Sequence, residues 1–145
     1  MRRVADPRSG ARSIARKLAV QALYQLQLNE ATWQDLLKDF STEEDMVRAD
    51  REYFDEIVRA VVETRADLDT RLTAWADRAP QDLDPVEHAV LLIGLHELAQ
   101  RPDVPWRVVV NEAVSLTRRF GATDAHKYVN AVLDRAACEL RPHEY

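Results

Sequence analysis

The chain has 145 residues, 46% hydrophobic and 31% charged, with a formal net charge of −5, one domain's worth of polypeptide and long enough to bury about two thirds of its unfolded surface. A single cysteine, Cys138, excludes an internal disulfide and fits a reducing, cytoplasmic setting. The longest apolar run, Ala89 to Leu95, falls far short of the ~20 residues a bilayer requires.

Charge is spread unevenly. Residues 1–20 carry six basic side chains against one acid, for +5, and the other 125 carry 14 basic against 24 acidic, for −10. A basic start on an acidic body offers a polyanion one localised site and repels it elsewhere. Residues 1–11, with Arg2, Arg3 and Arg8, are expected to form a basic flexible arm, and residues 12–145 a single helical domain. Arg2-Arg3 does not open an export signal, because Asp6, Pro7 and Arg8 stand where an apolar core is needed.

Three glycines in the whole chain, helical apolar spacing, and six prolines that all fall between periodic segments predict an all-α protein. Helices are expected at about 12–28, 32–40, 50–65, 67–77, 85–100, 105–120 and 124–140. The first buries Ile14, Leu18, Ala22, Leu23 and Leu26 on one stripe. Arg12, Arg16 and Lys17 are then expected at its exposed N-terminal end, where the positive pole of the helix makes cations unfavourable and an anionic partner offsets that cost. Between the second and third helices, Ser41 to Met46 reads as an acidic, solvated loop.

The helix from Pro85 is apolar on nearly every side and is expected at the centre of the fold, with Asp84 as its cap, Pro85 in its first position and Glu87 three residues after the cap. Trp106, Val109, Val110, Ala113, Leu116 and Phe120 place the following helix in the core. Gly121 is expected to adopt the left-handed backbone that stops this helix, and Thr123 or Asp124 to cap the last one. Ala125, Val129, Val132 and Ala136 form the buried stripe of that last helix. Its start carries Asp124, Lys127 and Tyr128, a charge pair and an aromatic ring suited to a phosphate and an unpaired base.

Other chemistry finds little support. His88 and His96 lack the four-residue spacing that presents two metal ligands together, and His126 and His143 stand apart, so no metal is expected. Gly10, Gly94 and Gly121 are each isolated, which leaves no phosphate-cradling loop and no nucleotide cofactor. Carboxylate pairs such as Glu43-Glu44 read as surface charge, and no enzyme activity is expected.

Five segments, taken together, resemble the NusB family of transcription antitermination factors. They are Ala11 to Gln27, Asp84 to Leu98, Asp103 to Val114, Gly121 to Asp134, and Arg141-Pro142, in the family's order and spacing over nearly the whole chain. The resemblance implies a NusB-like fold of about seven helices in two packed bundles and no catalysis. It also implies binding to a single-stranded boxA RNA together with ribosomal protein S10, acting as NusE. Such a complex joins other elongation factors on RNA polymerase and suppresses premature termination in ribosomal RNA operons. By resemblance, Arg12, Arg16, Asp124, Lys127 and Tyr128 face RNA, Lys17 extends the basic track, and Tyr24 and Glu87 lie toward NusE. Ser13 and Ile14 interrupt that track where family members often have continuous arginines. A related fold precedes an RNA cytosine methyltransferase in other proteins, but the end at Tyr145 leads us to expect no catalytic domain. The alternative is a helical protein-interaction module without RNA binding, and the sequence leaves monomer and homodimer both open.

Overall fold

The computed structural model describes residues 7–145, and among them every regular element is helical. Helix α1 spans Pro7–Leu28, α2 Trp33–Phe40, α3 Arg51–Leu72, α4 Pro85–Gln100, α5 Trp106–Phe120 and α6 Ala125–Leu140. Short 3-10 turns occupy Glu44–Val47 and Pro80–Asp82. None of the described helices is long and apolar enough to cross a membrane. The chain divides into two units, one ending at Glu63 and one spanning Thr64–Tyr145, so the division falls within α3.

Among the described residues there are six α-helices, close to the about seven expected, the segments at 50–65 and 67–77 being joined. No glycine or proline lies between them, and Glu63 to Asp67 are all exposed, so a continuous helix there shows no apolar repeat. The helix then stops at Leu72, and residues 73–75 are turn. At the other end, α1 begins at Pro7, five residues earlier than expected; of the arm anticipated at 1–11, residues 1–6 lie outside the described residues.

In the first unit α2 is opened by a capping box. The Thr32 hydroxyl accepts the Asp35 N–H at 3.1 Å and the Asp35 carboxylate accepts the Thr32 N–H at 3.3 Å. Leu18, Leu23, Leu36, Phe40, Phe54 and Ile57 are buried, with the Phe40 and Phe54 ring centroids 5.9 Å apart. The segment after α2 is not the free solvated loop expected: its 3-10 turn buries Met46 and packs on α1.

In the second unit α4 is buried without interruption from Ala89 to Leu98, as its all-round apolar sequence requires, and α5 and α6 pack on it and on each other. Asp84 caps α4 by accepting the Val86 N–H at 2.9 Å, and Pro85 takes the first position. Gly94 permits the close approach of α6, since a Cβ there would stand 2.8 Å from Leu133 Cδ1. Arg141, 4% exposed, donates to the carbonyls of Leu98 at 2.8 Å, Val104 at 3.1 Å, Glu97 at 3.1 Å and Arg101 at 2.8 Å. The same guanidinium pairs with Glu144 at 2.5 Å, whose other oxygen accepts the Trp106 N–H at 3.1 Å and so supplies the cap that Pro105 cannot. Those contacts hold the Glu144 carboxyl below its usual range, the Trp106 N–H first among them. Tyr145 closes the tail, its ring centroid 4.7 Å from that of Trp106 and its hydroxyl donating to Asp134 at 2.8 Å.

Candidate nucleic-acid interface

The basic residues of α1 are not the exposed cluster that the sequence suggested. Arg16 is 2% exposed, and the side chains of Arg12 and Lys17 are only 15% and 14% exposed. The reason lies 28 to 41 residues further along the chain, in the acidic turn and the start of α3. Arg12 and Arg16 stand over the Tyr53 ring at 4.4 and 5.2 Å, and Arg16 donates to the Tyr53 hydroxyl at 3.4 Å. Arg12 also approaches Asp50 at 3.8 Å, while Lys17 is ion-paired with Asp45, which Arg48 reaches at 2.7 Å. The hydrogen bond from Lys17 and then that from Arg48 hold the Asp45 carboxyl below its usual range. With α1 starting at Pro7, these cations lie in its second and third turns, beyond the reach of the N-terminal pole. Acids within the unit thus already offset the charge that an anionic partner was expected to offset.

In the second unit the start of α6 is set by Asp124, not by Gly121. Asp124 adopts the left-handed conformation, φ 66°, which aspartate tolerates better than most residues, and its side chain makes no cap. Gly121 is extended, with φ −91° and ψ 178°; glycine is needed there because a Cβ would meet the Thr117 carbonyl oxygen at 2.7 Å. Lys127 projects from the first turn with its side chain 72% exposed, and its Nζ is 3.4 Å from the equally open Asp124 carboxylate. A pair so open to water contributes little to stability, which leaves Lys127 available to a phosphate.

Tyr128 is half-buried rather than solvent-facing. The Arg78 guanidinium lies over its ring at 4.3 Å, and its hydroxyl is buried near Asp77. Burial, reinforced by the nearby Asp77 carboxylate, raises the phenol's pKa. Arg78 also approaches Asp77 at 3.7 Å and Glu87 at 4.0 Å, and its side chain is 49% exposed. Glu87 is 6% exposed in the first turn of α4; burial, and then the Asp84 charge, push its carboxyl up against the opposing pull of Arg78.

The second unit therefore brings Asp124, Lys127 and Tyr128 together, with Glu87 joined to Tyr128 through Arg78. Sequence reasoning missed Arg78 because it sits among Asp77, Asp82 and Asp84 in the connection to α4, where one basic residue carries no periodic signal. Tyr24 is 39% exposed on α1. The first unit also holds an open depression of about 510 Å³ lined by Trp33, Leu37, Asp55, Glu56, Arg59, Ala60 and Glu63. Three carboxylates against one guanidinium make it repel phosphate. Among the described residues no group of three or more His, Cys, Asp or Glu is placed to hold a metal; His88 is engaged by Asp69 at 2.5 Å.

Comparison with known proteins gives consistent matches. The model of the NusB family matches residues 13–138. Transcription antitermination protein NusB of Pseudoalteromonas atlantica is 46% identical over 134 residues, covering 92% of this chain and 96% of that protein. Its namesake in Idiomarina loihiensis is 46% identical over 132 residues, covering 91% and 95%. The solved structure of T. maritima NusB aligns with a TM-score of 0.76 at 25% identity, covering 94% of each chain.

Proposed function

Since the chain belongs to the NusB family, we propose that this transcription antitermination protein acts by binding a boxA-type single-stranded RNA together with NusE, promoting processive transcription of ribosomal RNA operons. The observation that carries this reading is the start of α6, where an open lysine stands beside a guanidinium and an aromatic ring in one small area. Single-stranded RNA is bound by that combination, phosphate on a cation and base on a planar group. Lys127 takes a phosphate, the Tyr128 and Arg78 pair takes a base, and the left-handed Asp124 fixes the turn that aims them.

Arg12, Arg16 and Lys17 supply a second, electrostatic contact on the first unit, weakened by the acids that already engage them. Tyr24, exposed on α1, is a contact for NusE. Glu87, nearly buried in the first turn of α4, is the second residue toward NusE. Other elongation factors and RNA polymerase are engaged through the resulting complex, and no step requires a cofactor or a metal. The acids covering Arg12 and Lys17 favour one competing reading, a helical protein-interaction module that does not bind RNA.

The salt dependence of RNA binding separates the two. Lys127→Ala is expected to weaken RNA binding and to lower the slope of log affinity against log salt by about 0.7, the share of one phosphate contact on a single strand. Thermal unfolding is expected to stay unchanged for so open a side chain. An unaltered affinity and slope would remove Lys127 from the site.

A further inference from the structure

A base arriving at Tyr128 finds one face of the ring already covered. The Arg78 guanidinium carbon is 4.3 Å from the ring centroid, within the range of a cation over an aromatic face. The ring itself is half-buried and its hydroxyl fully so. Arg78, in contrast, keeps 49% of its side chain open, and its acidic neighbours Asp77 and Glu87 stand off at 3.7 and 4.0 Å, beyond hydrogen-bond distance. A guanidinium is planar and weakly hydrated, and unpaired bases stack on guanidinium planes as they do on aromatic rings.

We propose that Arg78 is the base-stacking residue of the second unit's RNA site, with Tyr128 beneath it as the positioning residue that holds the guanidinium in place. The inference rests on the RNA-binding reading above and names the side chain through which that site meets a base. Lys127 and Arg78 then divide the work: the open ammonium meets a phosphate, and the backed guanidinium meets an unpaired base. Glu87 is the counter-charge that keeps Arg78 from swinging into solvent, and its 4.0 Å separation is loose enough to leave the outer face of the guanidinium free. Tyr128 contributes through its ring, since its hydroxyl is buried near the Asp77 carboxylate.

The test is a set of RNAs carrying the boxA-like element with single abasic replacements, titrated with NusE present against the natural chain, Arg78→Lys, Tyr128→Phe and Tyr128→Leu. In the natural chain one abasic position is expected to weaken binding roughly ten-fold or more, the scale of one stacked base. Arg78→Lys is expected to lose a similar factor on intact RNA, to keep the same salt slope because the charge remains, and to show almost no further loss at that abasic position. Tyr128→Phe should match the natural chain, and Tyr128→Leu should fall to the level of Arg78→Lys.

The proposal is overturned if Arg78→Lys binds intact RNA as tightly as the natural chain, which would make Arg78 a phosphate contact. It is also overturned if the abasic loss persists undiminished in Arg78→Lys, which would place the base elsewhere. Arg78→Ala repeats the comparison should lysine disturb the fold. Failure of the natural chain to bind any RNA would remove the RNA reading and this inference together, whereas sound binding with an undiminished abasic loss removes this inference alone.

Discussion

Replacing Arg141 by leucine should be among the most destabilising single changes in the second unit. The reason begins with Pro102. The Leu98 carbonyl, near the end of α4, would ordinarily accept from the residue four positions on, and proline has no N–H to give. Arg141 supplies that bond from Nε at 2.8 Å and a second one to the Val104 carbonyl at 3.1 Å. The other two carbonyls it meets, Glu97 and Arg101, keep backbone donors of their own, from Arg101 at 2.9 Å and Val104 at 3.0 Å. Arg141→Leu therefore orphans two carbonyls rather than four. At about 1 to 3 kcal/mol for each unsatisfied buried group the loss is about 2 to 6 kcal/mol, and we expect about 3 to 5. Glu144, with its side chain 31% exposed, can turn to water and adds little.

Urea denaturation monitored by circular dichroism should show the midpoint falling with the slope unchanged, and the melting temperature should drop by about 10 °C or more. Arg141→Lys should recover less than half of the loss, because an ammonium centre cannot reach carbonyls spread along the planar fork. A loss below about 1 kcal/mol for leucine, or full stability for lysine, would refute the reasoning.

Gly94→Ala sets a helix-propensity gain of about 1 kcal/mol against about 1 to 3 kcal/mol of overpacking on the fully buried Leu133, so the melting temperature should fall by a few degrees; a rise would show that Leu133 yields freely. Asp45→Asn removes the partner of Lys17 and Arg48. Because the Asp45 carboxyl is held low in the folded chain, its stabilisation is complete above the ordinary aspartate range and is lost as pH falls through the lowered value. Between pH 6 and pH 3 the natural chain should thus lose more stability than Asp45→Asn, and the variant, with Lys17 released, should bind RNA more tightly. Glu87→Gln runs the other way. A carboxyl raised by burial destabilises the fold above its raised value and is relieved as pH falls through it, so Gln should raise the melting temperature at pH 7 to 8 by a margin that shrinks toward pH 4. A margin independent of pH would show that Glu87 is not the group responsible.

Much of the fold was legible because its signals are local. Asp84, Pro85 and an apolar run marked α4, and Gly121 and the prolines fell where helices begin or end. The helix that joins two expected segments was hidden by the exposure of Glu63 to Asp67, which leaves no stripe to read. The stop at Gly121 was found for the wrong reason: the glycine is needed for its closeness to Thr117, and the left-handed residue is Asp124. The candidate site was half legible. Lys127 and Tyr128 announce themselves in one turn of one helix, whereas the covering of Arg12, Arg16 and Lys17 depends on Asp45, Asp50 and Tyr53, and the stacking of Tyr128 depends on Arg78, fifty residues before it. Those are meetings that only the folded chain makes.

The most direct measurement is a titration of the full chain with a boxA-like RNA and a scrambled control, with and without NusE, at two salt concentrations. Selective binding that weakens with salt and strengthens with NusE is the predicted result; retention of NusE with no binding to either RNA under any condition would contradict the account and leave a protein-interaction module.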